Sequence, residues 1–393
     1  MTFFRSLSAA GFAATAISYG PGRMGFGLFV PQFSSTFSMS PSAVGTVSSI
    51  GFVGFFLGLL VAQFFLNRRG PEFPVLTGLS AATAGMAIVA LAPTVGVLAL
   101  GIFLATSSAG FAWTPFNDAV HRKVSDVDRP TALSQVSTGT SVGIMGAGAL
   151  ALAMVVMEFD WRICWSVFAG ASALALIGNW AALRQVDKAP EEAPDRSWGD
   201  LLNRCALPLF SIAFVFGITS AVYVSFAADR FAQAEYPGLP EDATPSVLFL
   251  FFGFFGLSGL FTKRARDAVG LSLLVRILLV VAAVSLVFAA FEPGNWVALV
   301  ASAALQGINV MMTSAVLAFW SERLFPSFPA LGFTATLLAT AAGSVIGPAI
   351  AGMVAGSSGP AAMFCGTAAI PLLAALSLRA RFVVERPARM VAT

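Results

Sequence analysis

The chain has little charge, one histidine and three cysteines. Only 10% of its 393 residues are charged while 57% are hydrophobic, and its mean hydropathy is +0.84. A soluble globule of this size needs more polar surface than that. Neither a metal site, a disulfide nor a histidine-activated nucleophile is indicated, because His121 stands alone and the cysteines lack metal-ligand spacing. We therefore expect a polytopic membrane protein that is not an enzyme and has no cofactor and no metal.

Long apolar runs make up most of the chain. A run of about 20 apolar residues crosses a bilayer as one helix. Runs bounded by charge, glycine or proline predict twelve spans and hence an all-α integral membrane fold. The predicted spans are 7–31, 42–66, 73–92, 95–119, 132–157, 162–183, 205–228, 245–262, 268–290, 296–319, 328–354 and 359–378. The first run is full length and contains an arginine, so no cleaved signal peptide is expected.

Basic residues collect in one set of turns. Eighteen lysines and arginines lie in the even-numbered turns and at the termini, against two in the odd-numbered turns. The positive-inside rule then places both termini in the cytosol, in a multi-pass protein of the cell inner membrane. The sequence pI near 9.0 follows from this topology, so nucleic acid is not an expected partner. The expected partners are the lipid bilayer and a small-molecule substrate, with the protein as a monomer.

The least hydrophobic segment, 184–204, divides the spans into two sets of six. Its charged and proline-containing composition is typical of a solvated linker, here on the cytoplasmic side. The predicted domains are therefore an N-terminal half, 1–183, and a C-terminal half, 205–393. Basic turns follow span 2 at 66–69 and span 8 at 262–265, which indicates an internal repeat in architecture.

Short motifs in these turns and spans resemble those of the major facilitator superfamily. After span 2 that family has a glycine, then Asp-Arg, one residue, a glycine and a basic pair; the chain has Gly58, then Asn67 and Arg68, then Gly70. Partial matches also occur at Gly259 with Lys263 and Arg264, at Trp161 with Arg162, and at Gly139, Gly143, Gly146 and Gly148. Span 4 departs from the pattern of the family's proton antiporters, because it has Thr106 where they carry arginine. The Gly-x-x-Arg pattern ending at Arg23, with Pro31 following, is similar to the bacterial YbfB-like and YjiJ-like subgroup.

The resemblance implies a fold of two six-helix halves and transport by alternating access. Spans 1, 4, 7 and 10 would line a central cavity, and spans 2, 5, 8 and 11 would move against them. Candidate binding residues are therefore sought on the first set.

Arg23 stands inside the apolar run 7–31. At about 1.5 Å per residue it falls roughly 22 Å along span 1, in the far half of the hydrocarbon layer. Burying an arginine in lipid costs between about 2.5 and 17 kcal/mol, so such a residue usually faces a cavity or a partner. Pro21 between two glycines weakens the helix beside it, which favours a cavity wall. The alternative is an arginine that snorkels to the outer headgroups.

Further polar and aromatic side chains on the cavity spans are candidates for substrate binding. They are Tyr19, one turn before Arg23; Trp113 and Asn117 near the end of span 4; Thr219 and Tyr223 on span 7; and Gln306 and Asn309 on span 10. Each type has a structural alternative. Tyr19 could simply pack, Asn117 could belong to a solvated helix end, and the residues of spans 7 and 10 could bond neighbouring helices.

Carboxylates are missing from the middle of every span. Of nineteen acidic residues, only Asp118 and Asp229 come near a span interior, and both lie toward its end. Proton coupling normally needs a titrating group within the membrane. Asp118 is therefore the one candidate for coupling or gating, with an ordinary solvated helix end as the alternative. A deep cation without a deep anion indicates an anionic substrate.

The preferred interpretation is a secondary active or facilitative transporter of a small organic anion such as a carboxylate. Efflux of hydrophobic drugs or metabolites is favoured by thirty-seven phenylalanines and disfavoured by Arg23. A non-transporting membrane sensor is a third hypothesis, although the sequence shows no appended soluble domain through which it would signal.

Overall fold

The structure is a computed structural model that describes residues 3–125, 128–184, 186, 205–240, 242–327 and 329–383. Within these residues the regular secondary structure is helical, and eleven helices are long and apolar enough to cross a membrane. The predicted all-α membrane fold is confirmed. The predicted linker, 184–204, lies outside the described residues except for positions 184 and 186.

The spans keep their predicted numbers, and most of them are longer than predicted. Span 1 consists of four consecutive helical segments, Phe3–Ile17, Ser18–Met24, Gly25–Leu28 and Val30–Phe37. Spans 2 to 7 are Pro41–Arg69, Glu72–Ala90, Val95–Lys123, Arg129–Val156, Trp161–Leu183 and Leu207–Ala232. Span 8 consists of Thr244–Gly256, Leu257–Phe261 and Thr262–Val269, and spans 9 to 12 are Leu271–Phe291, Trp296–Leu324, Pro329–Ser358 and Pro360–Ser377. Hydropathy marks only the part of a helix inside the hydrocarbon layer. Polar turns that continue the same helix into the interface are therefore missed by it.

Span 1 is interrupted, which is why it is not among the eleven continuous apolar helices. Residues Ser18–Met24 form a π-helix with Pro21 inside it. Proline has no N–H to donate, so the α-helical hydrogen-bond pattern fails at this point. The π-helix that takes its place is rare and occurs mostly as a single turn, frequently at functional sites. The glycines on both sides of Pro21 had predicted a weakened helix.

Local caps begin four of the spans at one end of the bundle. The side chains of Ser40, Thr94, Asp160 and Asn295 each accept a hydrogen bond from a backbone N–H in the first turn of spans 2, 4, 6 and 10, respectively. We call this end the far end. The other end is the basic end, where Arg69, Arg122 and Arg323 lie in the last turns of spans 2, 4 and 10, respectively.

The two halves pack backbone to backbone toward the far end. Gly27 of span 1 faces the Val224 carbonyl of span 7, Gly45 of span 2 faces the Pro348 carbonyl of span 11, and Gly148 of span 5 faces Leu250 of span 8. A methyl group at any of these glycines would overlap the opposing backbone. We call these three contacts the glycine seal. Beside it, the Ser48 and Ser225 hydroxyls of spans 2 and 7 are hydrogen-bonded at 2.5 Å.

Candidate functional site

Arg23 lies on the π-helix of span 1, against aromatic rings. Its guanidinium carbon is 4.6 Å from the centre of the Phe55 ring, 5.6 Å from that of Tyr19 and 5.7 Å from that of Phe52. Phe55 is the midpoint of span 2, Pro41–Arg69. The structure therefore places Arg23 near the middle of the membrane, somewhat closer to the centre than the count along an unbroken helix had predicted.

The charge of Arg23 has no anionic partner in the part of the chain that the structure describes. Its Nε is buried without a hydrogen-bond partner, while the side chain as a whole is half-buried. Each ring face contributes about 0.5–2 kcal/mol to a cation. Three rings thus contribute about 1.5–6 kcal/mol, against a cost of about 2.5–17 kcal/mol for an arginine at this depth in lipid. The site is electrostatically incomplete as it stands.

A second aromatic pair continues the wall of this site toward span 4. The rings of Tyr19 and Trp113 meet edge to face, with centroids 6.4 Å apart and an interplanar angle of 75°. We call Arg23, Tyr19, Phe52, Phe55 and Trp113 the arginine pocket. The apolar cluster that contains Tyr19 and Phe55 also includes three residues of span 11, which are Leu337, Leu338 and Ala341. The pocket therefore lies where the two halves meet.

Span 4 supports the π-helix that carries Arg23. The Thr106 hydroxyl donates a hydrogen bond to the Gly22 carbonyl at 3.2 Å. A carbonyl next to a helix interruption needs such a donor, because the regular helical N–H is misplaced there. The sequence resemblance marked Thr106 only as a departure from the antiporter pattern, and its contact with span 1 was not predicted. Phe52 and Phe55 were also missed, since nothing distinguishes them among thirty-seven phenylalanines.

The end of span 4 carries the remaining N-terminal candidates. Asn117 is half-buried and lies one helical turn from Trp113, toward the basic end. Asp118 accepts a hydrogen bond from the Nε of Arg122 at 2.5 Å, and both side chains are less than one-fifth exposed. Asp118 is thus ion-paired within its own helix.

The candidates of spans 7 and 10 lie inside the C-terminal half. Thr219, Asn309 and Thr313 line a cavity of about 10 Å³ between spans 7, 9 and 10, a volume on the scale of one water molecule. Asn309 accepts a hydrogen bond from Thr313 at 3.1 Å, and its Nδ2 is buried without a partner. Gln306, one turn earlier, is completely buried and both of its amide atoms lack partners.

Tyr223 belongs to a hydrogen-bond network within the same half. The Ser302 hydroxyl lies 3.1 Å from the Tyr223 hydroxyl, and Ser302 and Ser285 each lie 2.8 Å from the other's backbone carbonyl. These contacts join spans 7, 9 and 10. The structure thus brings Arg23, Tyr19 and Trp113 together and leaves the four C-terminal candidates apart from them.

Tyr223→Phe should lower stability and leave ligand binding unchanged. Losing the hydroxyl removes one buried hydrogen bond, which is a loss of about 0.5–1.5 kcal/mol. We expect a lower melting temperature for the purified protein and a ligand affinity within twofold of the wild-type value. A large loss of affinity with unchanged melting would instead assign Tyr223 to the binding site.

Comparisons with known proteins agree with this architecture. The family model of the Major Facilitator Superfamily matches residues 12–259. The crystal structure of the nucleoside transporter NupG is similar, with a TM-score of 0.73 over 98% of this chain and 100% of that chain, at 14% identity. The crystal structure of a bacterial homologue of the human lysosomal transporter Spinster, in an inward-facing and occupied conformation, is also similar. Its TM-score is 0.73 over 97% of this chain and 95% of that chain, at 15% identity.

At such identities the solved structures show the fold alone. No curated protein sequence matches the chain. The resemblance to the YbfB-like and YjiJ-like subgroup stays a prediction. The family match covers more than half of the chain, and the fold agrees with it over nearly the whole length. The chain therefore belongs to the Major Facilitator Superfamily, a family of membrane transporters and not of enzymes, as the sequence had predicted.

Proposed function

We propose that this transporter moves a small organic anion by alternating access, and that Arg23 binds the negative group. The observation that carries the proposal is the arginine pocket, in which a guanidinium lies near mid-depth among aromatic rings with a buried, unpaired Nε. Arginine stays protonated under all ordinary conditions. An anionic ligand would supply the charge that the protein does not place beside it.

The polar groups of the pocket favour a ligand rich in hydrogen-bond acceptors. Arginine and the tryptophan indole are donors only, and a tyrosine hydroxyl can donate as well. Within the described residues no hydrogen bond engages the Tyr19 hydroxyl or the Trp113 indole nitrogen. The three donor-bearing side chains are neighbours on spans 1 and 4. A carboxylate has the matching set of acceptors, and charge-assisted bonds of this type are the stronger ones.

The position of the pocket relative to the glycine seal supports alternating access. Gly27, which packs on span 7, lies one helical turn beyond Arg23 on the same span. The seal therefore closes the far end directly beyond the binding residue. Exchange of the ligand across the membrane would require this seal to open during the transport cycle.

We further propose that the basic end faces the cytosol, from the positive-inside bias. In a variant with the three cysteines replaced, cysteine substituted for the exposed residue Glu292 should react with an impermeant maleimide on intact cells. Cysteine at the exposed residue Arg184 should react only after permeabilisation. Labelling of both positions from the same side would contradict this topology.

A thermal-shift screen on the purified protein tests the proposed substrate class. Each carboxylate is compared with the neutral amide of the same shape, and uridine and tetraphenylphosphonium are included. A ligand at 100 times its Kd stabilises the native state by about 2.7 kcal/mol. We expect carboxylates to raise the melting temperature and the matched amides to have no effect. Counterflow of a stabilising, radiolabelled carboxylate in proteoliposomes then tests transport itself.

The aromatic lining also favours a second function, efflux of hydrophobic drugs or metabolites. The same screen separates the two. Stabilisation by tetraphenylphosphonium without any effect of carboxylates would support efflux and contradict the anion proposal. A response to uridine alone would point to a neutral planar substrate, of the class named for NupG.

Asp118→Asn tests whether transport is coupled through that carboxyl. Because Asp118 is paired with Arg122 in its own helix, we expect exchange and accumulation of the anion to stay within twofold of wild type. The lost ion pair should change stability by less than about 1 kcal/mol. Retained exchange with loss of accumulation driven by a pH gradient would make Asp118 a proton site, and equal losses in both assays would assign it to gating or folding.

A further inference from the structure

We propose that the ligand of the arginine pocket is an aromatic monocarboxylate, a flat ring that carries a single negative charge. This inference rests on the proposed function and narrows its substrate class. It follows from three properties of the pocket: the number of charges, the direction from which the guanidinium can be reached, and the chemistry of the surrounding wall.

The pocket offers one positive charge. Apart from Arg23, the only basic residue in the interior of a predicted span is Arg276. Arg276 donates a hydrogen bond to the Leu378 carbonyl, where span 12 ends. The Arg276 side chain is therefore hydrogen-bonded near the basic end of the bundle and does not reach the middle of the membrane. A ligand with two negative charges would bring one of them into the pocket uncompensated, and that charge would resist desolvation.

The aromatic rings restrict how an anion can approach Arg23. The ring centres of Phe55, Tyr19 and Phe52 all lie within 6 Å of the guanidinium carbon, so aromatic side chains occupy part of the space around it. The N–H groups of a guanidinium point outward in its own plane. A carboxylate is flat and can lie in that plane with two parallel hydrogen bonds.

Aromatic and aliphatic side chains of one apolar cluster continue the wall of the pocket. Trp113 meets the edge of the Tyr19 ring, and Leu337, Leu338 and Ala341 of span 11 approach from the other half. The polar side chains Thr219 and Asn309 do not belong to this wall, because they line the small cavity inside the C-terminal half. An aromatic ring can pack edge to face with Trp113 or Tyr19.

Equilibrium binding of tritiated benzoate to the full-length protein in nanodiscs tests the proposal. Cyclohexanecarboxylate has the same charge and a similar size but no aromatic face, and benzamide has the ring without the charge. Phthalate adds a second carboxylate. We expect cyclohexanecarboxylate to compete about fivefold more weakly than unlabelled benzoate, and benzamide and phthalate more than tenfold more weakly.

Variants of Trp113 test whether this residue causes the preference for benzoate over cyclohexanecarboxylate. Trp113→Leu should reduce the difference between benzoate and cyclohexanecarboxylate to less than about twofold, and Trp113→Phe should restore most of it. Trp180→Leu, which alters an exposed tryptophan on span 6, is the matched control and should leave the preference unchanged. If Trp113→Leu fails to fold, the binding of benzoate and cyclohexanecarboxylate to the wild-type protein still shows whether the site prefers an aromatic ligand.

The outcomes separate this inference from the function on which it rests. Equal binding of benzoate and cyclohexanecarboxylate, with benzamide excluded, would overturn the aromatic preference and leave an anion transporter. Full preference retained in a folded Trp113→Leu variant would also overturn it. Binding of benzamide as tight as that of benzoate, or no carboxylate binding at all, would contradict the proposed function as well.

Discussion

Replacing Arg23 with glutamine should abolish ligand binding and, in the same protein, maintain or raise the melting temperature. A bidentate pair of charge-assisted hydrogen bonds contributes about 3–6 kcal/mol, so affinity should fall by at least about 100-fold. Without ligand, however, the guanidinium is a half-buried charge whose Nε is buried without a partner. Its removal takes away a desolvation cost and should not destabilise the fold. Binding and melting of purified protein measure the two effects.

This pattern distinguishes a binding role from a structural one. Arg23→Lys keeps the charge and loses the planar fork, so we expect an intermediate loss of affinity of about tenfold. Arg276→Gln is the matched control, since Arg276 is engaged by the Leu378 carbonyl. That variant should lower the melting temperature and leave affinity unchanged. Undiminished uptake by Arg23→Gln would rule out the proposed role of Arg23.

Gly27→Ala should open the glycine seal. The added methyl would overlap the Val224 carbonyl, and overpacking of this kind costs about 1–3 kcal/mol. The cost applies only while spans 1 and 7 are in contact. The equilibrium should therefore shift by a factor of about 5 to 150 away from the state in which the far end is closed. We expect transport to slow by about tenfold, because the cycle must pass through the closed state.

The state of the seal can be measured with a cysteine beside it. Ser48 is buried and bonded to Ser225, so Ser48→Cys in a cysteine-free variant should react slowly with an impermeant maleimide. Adding Gly27→Ala should accelerate the reaction by at least about tenfold. Gly146→Ala is the matched control, because nothing lies within 4 Å of a methyl group at that position. Equal reaction rates in all three backgrounds would show that Gly27 does not control the seal.

Two kinds of prediction from the sequence rest on different signals. The positions of the spans were predicted to within a few residues in most cases, because hydropathy along the chain reports directly on which segments lie in lipid. The interruption of span 1 was also predicted, since Pro21 between glycines is a local signal. The substrate-binding candidates on spans 7 and 10 were chosen by polarity and depth alone. Those properties do not tell which way a helix turns its side chains.

By itself the sequence determined the membrane class, the number of spans, and the presence of one arginine deep within span 1 without a deep carboxylate. These are properties of single residues and of short runs. Only the tertiary structure decided what surrounds that arginine. The rotation of each helix about its axis depends on how all twelve spans pack, and it brings Phe52, Phe55 and Trp113 to Arg23. The same packing turns Thr219 and Asn309 into the interior of their own half, where spans 7, 9 and 10 meet.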